Sequence, residues 1–324
     1  MKNMLRFTLA AATLVTATAA SAQTYPTKPI TMVIPFAAGG PTDVVGRLIA
    51  QSMSKTLGQQ VIVENTVGAG GTIAAARVAH AQPDGYTILL HHIGQSTAPS
   101  LYRKLSFDPL TSFETAGLVT EVPMTVVARG NFPAKDFSSM VQYIKANKDK
   151  INLANAGTGS ASHLCGMLFQ HAINTQFTTI PYKGTGPAMN DLLGGQVDIM
   201  CDQTTNTTSY IKSGKIKAYA VTTPKRLAVF PDLPTTREAG VQNFEVSVWH
   251  GLYAPKGTPR PVIDKINGAL KVALKDQLVI DRFAGLGTEP VAENRTSPEV
   301  HKQFLQSEIA KWKTVIQQAG VQPE

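Results

Sequence analysis

Short apolar runs alternate with stretches of helical periodicity along most of the chain. Residues 30–34 are apolar and largely β-branched, which predicts a buried strand, and apolar residues then recur at helical spacing from Val44 to Leu57. The same criteria predict further strands at residues 61–64, 86–90, 122–128, 151–154, 178–181, 197–201, 218–222 and 244–252. Strands that alternate with helices are typical of α/β proteins with parallel sheets.

Two of these strands, at residues 122–128 and 246–252, are predicted to cross between two lobes. The chain would then build a first lobe from residues 23–125 and 247–324, and a second lobe from residues 126–246. We therefore predict a bilobal α/β fold of two parallel or mixed sheets with a hinge, in which the final helices pack back on the first lobe.

The turn at residues 35–43 joins the first strand to the first helix. Gly39 and Gly40 allow a tight turn and a close approach to the backbone N–H groups. Pro41 suits the first position of a helix, and Asp43 the capping-box position. The N–H groups at a helix start attract anions, so this turn is predicted to bind an anion, with an ordinary glycine turn as the alternative.

A second turn of the same construction lies at residues 155–163. It reads Asn-Ala-Gly-Thr-Gly-Ser-Ala-Ser-His, follows the predicted strand 151–154 and precedes a predicted helix over residues 164–173. Two such turns, far apart in the sequence, favour anion binding more than either turn does alone.

Polar side chains also stand at the ends of predicted strands. His92 follows the strand 86–90, and Asp202 and Gln203 follow the strand 197–201. Ligands of open α/β sheets bind at the carboxyl ends of strands, so these side chains are candidates for the site. Each residue also has an alternative to ligand binding. His92 would then be an ordinary polar residue at a domain edge, and Asp202 would cap the next helix.

The segment Gly68–Gly71 superficially resembles a dinucleotide-binding fingerprint. Ile73 stands where the third glycine of that fingerprint belongs, and no acidic residue follows at the usual distance. Close packing of an alanine-rich helix on the sheet is the better interpretation.

The first 22 residues have the pattern of an export signal. Lys2 and Arg6 precede a short apolar core, and Ala20-Ser21-Ala22 is a cleavage site, so the mature chain would begin at Gln23. The apolar core is too short to span a bilayer. The sequence predicts a protein exported to the periplasm, provided that the cell has two membranes.

Charge and motif content argue against several function classes. The net charge is +8 and falls to +6 without Lys2 and Arg6, and the basic residues are scattered, so no nucleic-acid partner is expected. No metal-ligand, phosphate-loop or nucleophile-elbow motif is present, so we expect no metal, no cofactor and no enzyme activity. The enzymatic alternative is a hydrolase that uses Ser160 or Ser162.

Cys165 and Cys201 are the two cysteines of the chain. Export makes a disulfide between them chemically feasible. Two buried free thiols are the alternative, because the sequence does not give the Cα separation that a disulfide requires.

Several short motifs distributed over the chain resemble those of one protein family. They are Ile34-Pro35-Phe36-x-x-Gly39-Gly40-x-x-Asp43, Glu64-Asn65-x-x-Gly68-Ala69-Gly70-Gly71, Pro83-Asp84-Gly85-Tyr86-Thr87, Gly157-x-Gly159-Ser160-x-x-His163, Pro181-Tyr182-Lys183-Gly184 and Gly194-Gly195-x-Val197-Asp198. Together they extend over essentially all of the mature chain and resemble the substrate-binding proteins of tripartite tricarboxylate transporters, the Bug family. The resemblance implies a type II-like periplasmic binding fold that closes on a small carboxylate and delivers it to a membrane permease.

The resemblance also implies which residues hold the ligand. One carboxylate would be held, partly through waters, by Phe36, Ala38, Gly39, Thr42 and Asp43 of the first lobe and by Gly157, Gly159, Ser160, Ser162 and His163 of the second. The far end of the ligand would meet His92, Tyr182, Asp202 or Gln203. A C4–C6 dicarboxylate, an aromatic carboxylate and an amino acid remain open as ligands.

The resemblance implies integral-membrane transporter subunits as partners, and we expect the receptor to be a monomer. A ligand sensor that docks on a membrane receptor is the alternative, because it would need the same two-lobed fold.

Overall fold

The computed structural model describes residues 25–323, so the predicted export signal lies outside the described residues. The strands are β1 (Ile30–Ile34), β2 (Val61–Asn65), β3 (Thr87–His92), β4 (Phe113–Arg129), β5 (Asn152–Asn155), β6 (Thr178–Pro181), β7 (Ile199–Gln203), β8 (Ile216–Val221) and β9 (Ser247–Pro255). The α-helices are α1 (Pro41–Leu57), α2 (Thr72–Ala79), α3 (Gly94–Leu101), α4 (Phe137–Ala146), α5 (Ala161–Ala172), α6 (Thr185–Leu193), α7 (Thr204–Lys212), α8 (Arg260–Ala273), α9 (Gln277–Gly285) and α10 (Pro298–Gln318).

One sheet runs through the described part of the molecule in the order β2-β1-β3-β9-β4-β7-β5-β6, with β8 also paired to β4. Strand β4 is shared between its two halves. Residues 113–123 of β4 pair with β9, whereas residues 124–129 pair with β7 and β8. We call the half built on β1, β2, β3 and β9 the first lobe, and the half built on β5 to β8 the second lobe.

Strand directions bring the ends of the two half-sheets together. In the first lobe β1 runs parallel to β2 and β3, and in the second lobe β5 runs parallel to β6 and β7. Strand β9 is antiparallel to β3 and β4, and β4 is antiparallel to β7, so β3 and β7 run in opposite directions. The carboxyl ends of the parallel strands of each lobe therefore face the other lobe.

Strand β4 is longer than the predicted strand at 122–128. Its first half contains two register shifts against β9 and a glycine with φ +136° at Gly117, which break the simple alternation of a strand. Helix α3 was also not predicted. The alternating strands were expected to give two sheets, but β4 joins both halves into one mixed sheet.

Strand β9 begins at Ser247, three residues later than predicted, and pairs with β3 and β4 of the first lobe. The chain returns from the second lobe just before it, where the Val246 N–H donates to the carbonyl oxygen of Thr222. The lobe boundaries after residues 125 and 246 stay a prediction.

The last helix, α10, starts as its sequence predicts and packs against α3 and β4. The Ser297 side chain caps it by accepting from the Val300 N–H, and a proline occupies its first position. On its buried face Glu308 accepts hydrogen bonds from both Trp249 and Trp312 at 3.0 Å, which satisfies a largely buried carboxylate.

The two cysteines lie in the core of the second lobe. Cys165 on α5 and Cys201 on β7 are both fully buried and form a disulfide, with Cα atoms 5.8 Å apart. This separation lies within the range that a disulfide requires.

Candidate functional site

A narrow cavity of about 10 Å³ lies between the lobes, where the carboxyl ends of the strands meet. Seven of the predicted site residues line it, from both glycine turns and from the ends of β3 and β7. The full lining is Phe36, Pro41, Thr42 and His92 of the first lobe and Ala156, Ser160, Ala161, Ser162, Thr185, Asp202 and Gln203 of the second. The fold thus brings together two turns that are about 120 residues apart in the sequence.

Four helices begin at this cavity. Pro41 and Thr42 open α1, Ala161 and Ser162 open α5, Thr185 opens α6, and Gln203 precedes α7. The first N–H groups of a helix have no intrahelical acceptor, and each helix start carries a partial positive charge. Among the described residues, no Lys or Arg lines the cavity. The partial positive charge that these helix starts place at the cavity comes from backbone dipoles.

Asp43 holds the first glycine turn in shape. Its carboxylate accepts from the Gly39 N–H at 3.0 Å, from Nε of Arg47 at 2.9 Å and from Nδ2 of Asn65 at 2.9 Å. Burial alone would raise the pKa of Asp43, but these hydrogen bonds outweigh it and lower that pKa. Asn65 also donates to the carbonyl oxygen of Phe36 at 2.9 Å. The ionised carboxylate thus ties the turn to β2.

The second glycine turn is held by its own side chains. Asn155 accepts from the Gly157 N–H, and Ser162 accepts from the Ala156 N–H, at 2.8 and 2.9 Å. Ser160 caps α5 by accepting from the His163 N–H at 3.2 Å. The Ser160 and Ser162 hydroxyls lie 3.2 Å apart, and both line the cavity.

Three buried histidines lie behind the first turn. Nδ1 of His92 accepts from the Gly94 N–H at 2.9 Å, so a neutral ring carries its hydrogen on Nε2. The ring stacks on Phe36 with centroids 4.7 Å apart. Burial lowers the pKa of His92 well below its usual value, and it lowers the pKa of His91 and of His250 to about 3. His92 is therefore a neutral side chain that can donate into the cavity.

Asp202 is the one ionisable carboxyl group among the described residues that line the cavity. It is fully buried, and Nδ2 of Asn206 donates to its Oδ2 at 2.6 Å. Burial raises the pKa of Asp202 to about 7, against the lowering effect of Asn206, the Gln203 N–H and the Thr185 hydroxyl. The sequence left open the alternative that Asp202 caps α7. No side chain of the described residues caps α7, and Asp202 instead accepts a hydrogen bond from the Asn206 side chain.

The second lobe presents buried acceptor atoms at the cavity wall. Oδ1 of Asp202, Oε1 of Gln203 and Oγ1 of Thr185 make no hydrogen bond of standard geometry to other described residues. The Thr185 hydroxyl still lies near enough to Asp202 to lower its pKa. Buried polar atoms normally have partners, so these three favour a polar ligand at this wall.

The remaining predicted residues lie outside this lining. Gly157 and Tyr182 line an adjoining groove of about 600 Å³, and the Tyr182 hydroxyl donates to Asp191 at 2.6 Å. Phe36 and Ala156 line both spaces. Ala38, Gly39, Asp43, Gly159 and His163 line neither the groove nor the cavity.

Thr185 and His250 were missed by the sequence reasoning. Thr185 opens α6 after Gly184, in a third strand-to-helix turn built like the other two, and this likeness was available in the sequence. His250 lies in the middle of β9, and its Nε2 is 3.3 Å from Oγ1 of Thr42. No local pattern identifies His250, because its position beside the first turn results from the pairing of β9 with β3 and β4.

The two lobes are in direct contact beside the cavity. The Ala37 N–H donates to the carbonyl oxygen of Lys183 at 3.1 Å, and the Tyr102 hydroxyl donates to the carbonyl oxygen of Thr158 at 2.6 Å. The structure is therefore that of the closed arrangement.

Residues 25–323 contain neither a candidate metal cluster nor a candidate membrane-spanning helix. Their His, Cys, Asp and Glu side chains form no group of three or more that could hold a metal ion. None of the helices in that range is long and apolar enough to cross a membrane.

Two lobes joined by a shared sheet, closed over a buried cavity, define a periplasmic binding protein. The structure is similar to that of the periplasmic binding protein BugD, with 55% identity and a TM-score of 0.91 over 93% of this chain and 100% of BugD. It is also similar to MatC from Rhodopseudomonas palustris with bound malate, with 44% identity and a TM-score of 0.87 over 90% of this chain and 100% of MatC. A third similar structure is R. palustris Rpa4515 with adipate, with 31% identity and a TM-score of 0.88 over 93% of this chain and 100% of that one.

Residues 45–321 match the tripartite tricarboxylate transporter family receptor, and the chain belongs to this family. Its members are transport receptors and not enzymes, so the resemblance found in the sequence is confirmed and the alternative of a hydrolase at Ser160 or Ser162 is wrong.

Proposed function

We propose that the chain is a periplasmic receptor that closes over a small dicarboxylate and delivers it to integral-membrane transporter subunits. The observation that carries this proposal is the convergence of four helix starts on one cavity that no Lys or Arg of residues 25–323 lines. Such starts bind anions through N–H groups and helix dipoles. The relatives with bound malate and adipate support a carboxylate ligand, and the family description supports the membrane partner. Export would follow from the signal at residues 1–22.

The cavity wall favours a dicarboxylate that also carries a hydroxyl or ammonium group. The second lobe offers acceptors on Asp202 and Gln203, and a plain dicarboxylate has no donor for them. His92 of the first lobe offers an N–H donor to a ligand oxygen. A four-carbon 2-hydroxy or 2-amino dicarboxylate matches both walls. An ionised Asp202 would repel a second carboxylate, so the ligand is expected to bind while that carboxyl is protonated or accepts from the ligand's own donor.

Calorimetric titration of the mature chain tests this ligand class. The probes are L-malate, L-aspartate, succinate, adipate and benzoate. L-malate or L-aspartate is expected to bind at least tenfold more tightly than succinate, and benzoate least tightly. A ligand at about 100 times its dissociation constant should also stabilise the fold by roughly 2.7 kcal/mol. Tighter binding of benzoate than of every dicarboxylate would refute the proposal.

A further inference from the structure

The turn that precedes α2 contains the glycine motif to which the sequence reasoning assigned no role in binding. Gly68, Gly70 and Gly71 have φ values of +132°, +58° and +102°. The turn belongs to the first lobe, and Gly68 to Gly71 line the groove beside the cavity. On its far side the turn meets the second lobe.

The Gly70 backbone leaves no room for a side chain between the two lobes in this groove. A Cβ atom placed on Gly70 would lie 1.8 Å from the carbonyl oxygen of Thr158 and 2.9 Å from its carbonyl carbon. Both are backbone atoms, which a side-chain rotation cannot move aside. Any residue other than glycine at this position is therefore incompatible with the closed arrangement of the lobes.

Tyr102, at the end of α3, contacts the same carbonyl group. Its hydroxyl donates to the carbonyl oxygen of Thr158 at 2.6 Å, and the Cβ position of Gly70 is 2.9 Å from that hydroxyl. The Thr158 carbonyl thus occupies a notch between a glycine and a tyrosine of the first lobe. Thr158 belongs to the second glycine turn, which leads directly into the start of α5 at the cavity.

We propose that Gly70 and Tyr102 form a docking notch that receives the Thr158 carbonyl oxygen when the lobes close, and so positions the second glycine turn over the ligand. Gly70 and Tyr102 do not line the cavity, so they act as positioning residues. The notch depends on the proposed function in one respect, namely that the lobes close when the ligand binds.

Backbone conformation alone offers a simpler reason for a glycine at position 70, and the chain contains a matched control for it. Gly58, after α1, has φ +67° and ψ +9°, close to the +58° and +17° of Gly70. A Cβ atom on Gly58 would meet nothing within 4 Å. Alanine at either position carries the same left-handed strain, but only at position 70 does it obstruct the other lobe.

The experiment compares Gly70→Ala, Gly58→Ala and Tyr102→Phe in the full mature chain. Thermal unfolding without ligand should give similar losses in Tm for the two alanine variants. Calorimetry with L-malate should show at least a 100-fold loss of affinity for Gly70→Ala and less than a threefold change for Gly58→Ala. Tyr102→Phe, which removes one hydrogen bond, should lose about tenfold.

A crystal structure of the Gly70→Ala variant gives a readout that does not depend on the ligand class. The Thr158 carbonyl oxygen is expected to lie away from the Tyr102 hydroxyl, with the lobes apart. The notch proposal would be refuted if the variant's lobes were closed with this hydrogen bond intact. Equal affinity losses for the two alanine variants would also refute it. Failure of the unmodified chain to bind any carboxylate would refute the proposed function instead, and the crystal structure would then decide the notch.

Discussion

At the scale of single residues, Asp202 determines how the cavity responds to pH. A free aspartate ionises near pH 4, whereas burial raises the pKa of Asp202 to about 7. Between these values the folded chain holds a proton that the unfolded chain has lost. Stability from this group is therefore present at low pH and declines as the pH rises from about 4 to about 7.

Replacement of Asp202 by asparagine is expected to remove this decline. The side chain keeps an oxygen that can accept from Asn206 but has no proton to lose. In chemical denaturation without ligand, the stability advantage of Asp202→Asn over the unmodified chain should be about 2–3 kcal/mol larger at pH 8 than at pH 5.

Three buried histidines also titrate, but they do not affect the difference in stability between Asp202→Asn and the unmodified chain. His91, His92 and His250 have lowered pKa values, so their contribution to stability is lost as the pH falls below about 6.5, equally in both proteins. A difference between the two proteins that does not change with pH would show that Asp202 is ionised throughout this range.

At the scale of elements, the first glycine turn keeps its shape through a neighbouring strand. Asn65, the last residue of β2, donates both to Asp43 and to the carbonyl oxygen of Phe36. The turn thus depends on a residue that is far from it in sequence and touches no cavity surface.

Asn65→Ala should therefore weaken ligand binding without removing a ligand contact. It deletes three side-chain hydrogen bonds, two donated to Asp43 and to the Phe36 carbonyl and an exposed one accepted from Arg47, so we expect a loss of about 1–2 kcal/mol in stability. We also expect about a tenfold loss of affinity in calorimetry with L-malate. Glu64→Ala on the same strand is the control, because it removes only an exposed ion pair with Arg77 and should change neither quantity much. Equal effects of both variants would contradict this role for Asn65.

The elements that sequence reasoning found are those whose signals are local. The turn into α1 carries two glycines and a proline, and α10 carries a Ser-Pro start, so both were predicted close to their observed bounds. Helix α3 was missed because Gly94 and Pro99 lie within it. Its polar residues, among them Gln95, are buried by the packing of α10, which no local pattern reveals.

At the scale of the whole molecule, the site depends on the order of strands in the sheet. Sequence reasoning identified the two glycine turns, His92 and Asp202 one by one. It did not predict that Thr185 joins them, or that His250 of β9 supports the first turn from behind. The position of His250 follows from the insertion of β9 between β3 and β4, which is a tertiary event with no trace in local sequence.

The insertion of β9 also fixes an order of folding. The first lobe lacks an inner strand until residues 247–255 arrive, and contacts of such high sequence separation form slowly. The second lobe is built from one continuous stretch, and its disulfide joins cysteines only 36 positions apart. In pulsed hydrogen exchange during refolding, amides of β5 to β8 are expected to gain protection before those of β1 to β3. The opposite order would refute this.

For a chain that emerges from a membrane channel with its N-terminus first, this order has a practical consequence. The segment that emerges first, β1 to β3, must wait for the last quarter of the chain, whereas the middle segment can fold as soon as it emerges. The incomplete half-sheet exposes strand β3 as an edge during that time, and such edges promote aggregation. For a chain translocated in this direction, β3 would therefore stay unpaired on one side until β9 has emerged.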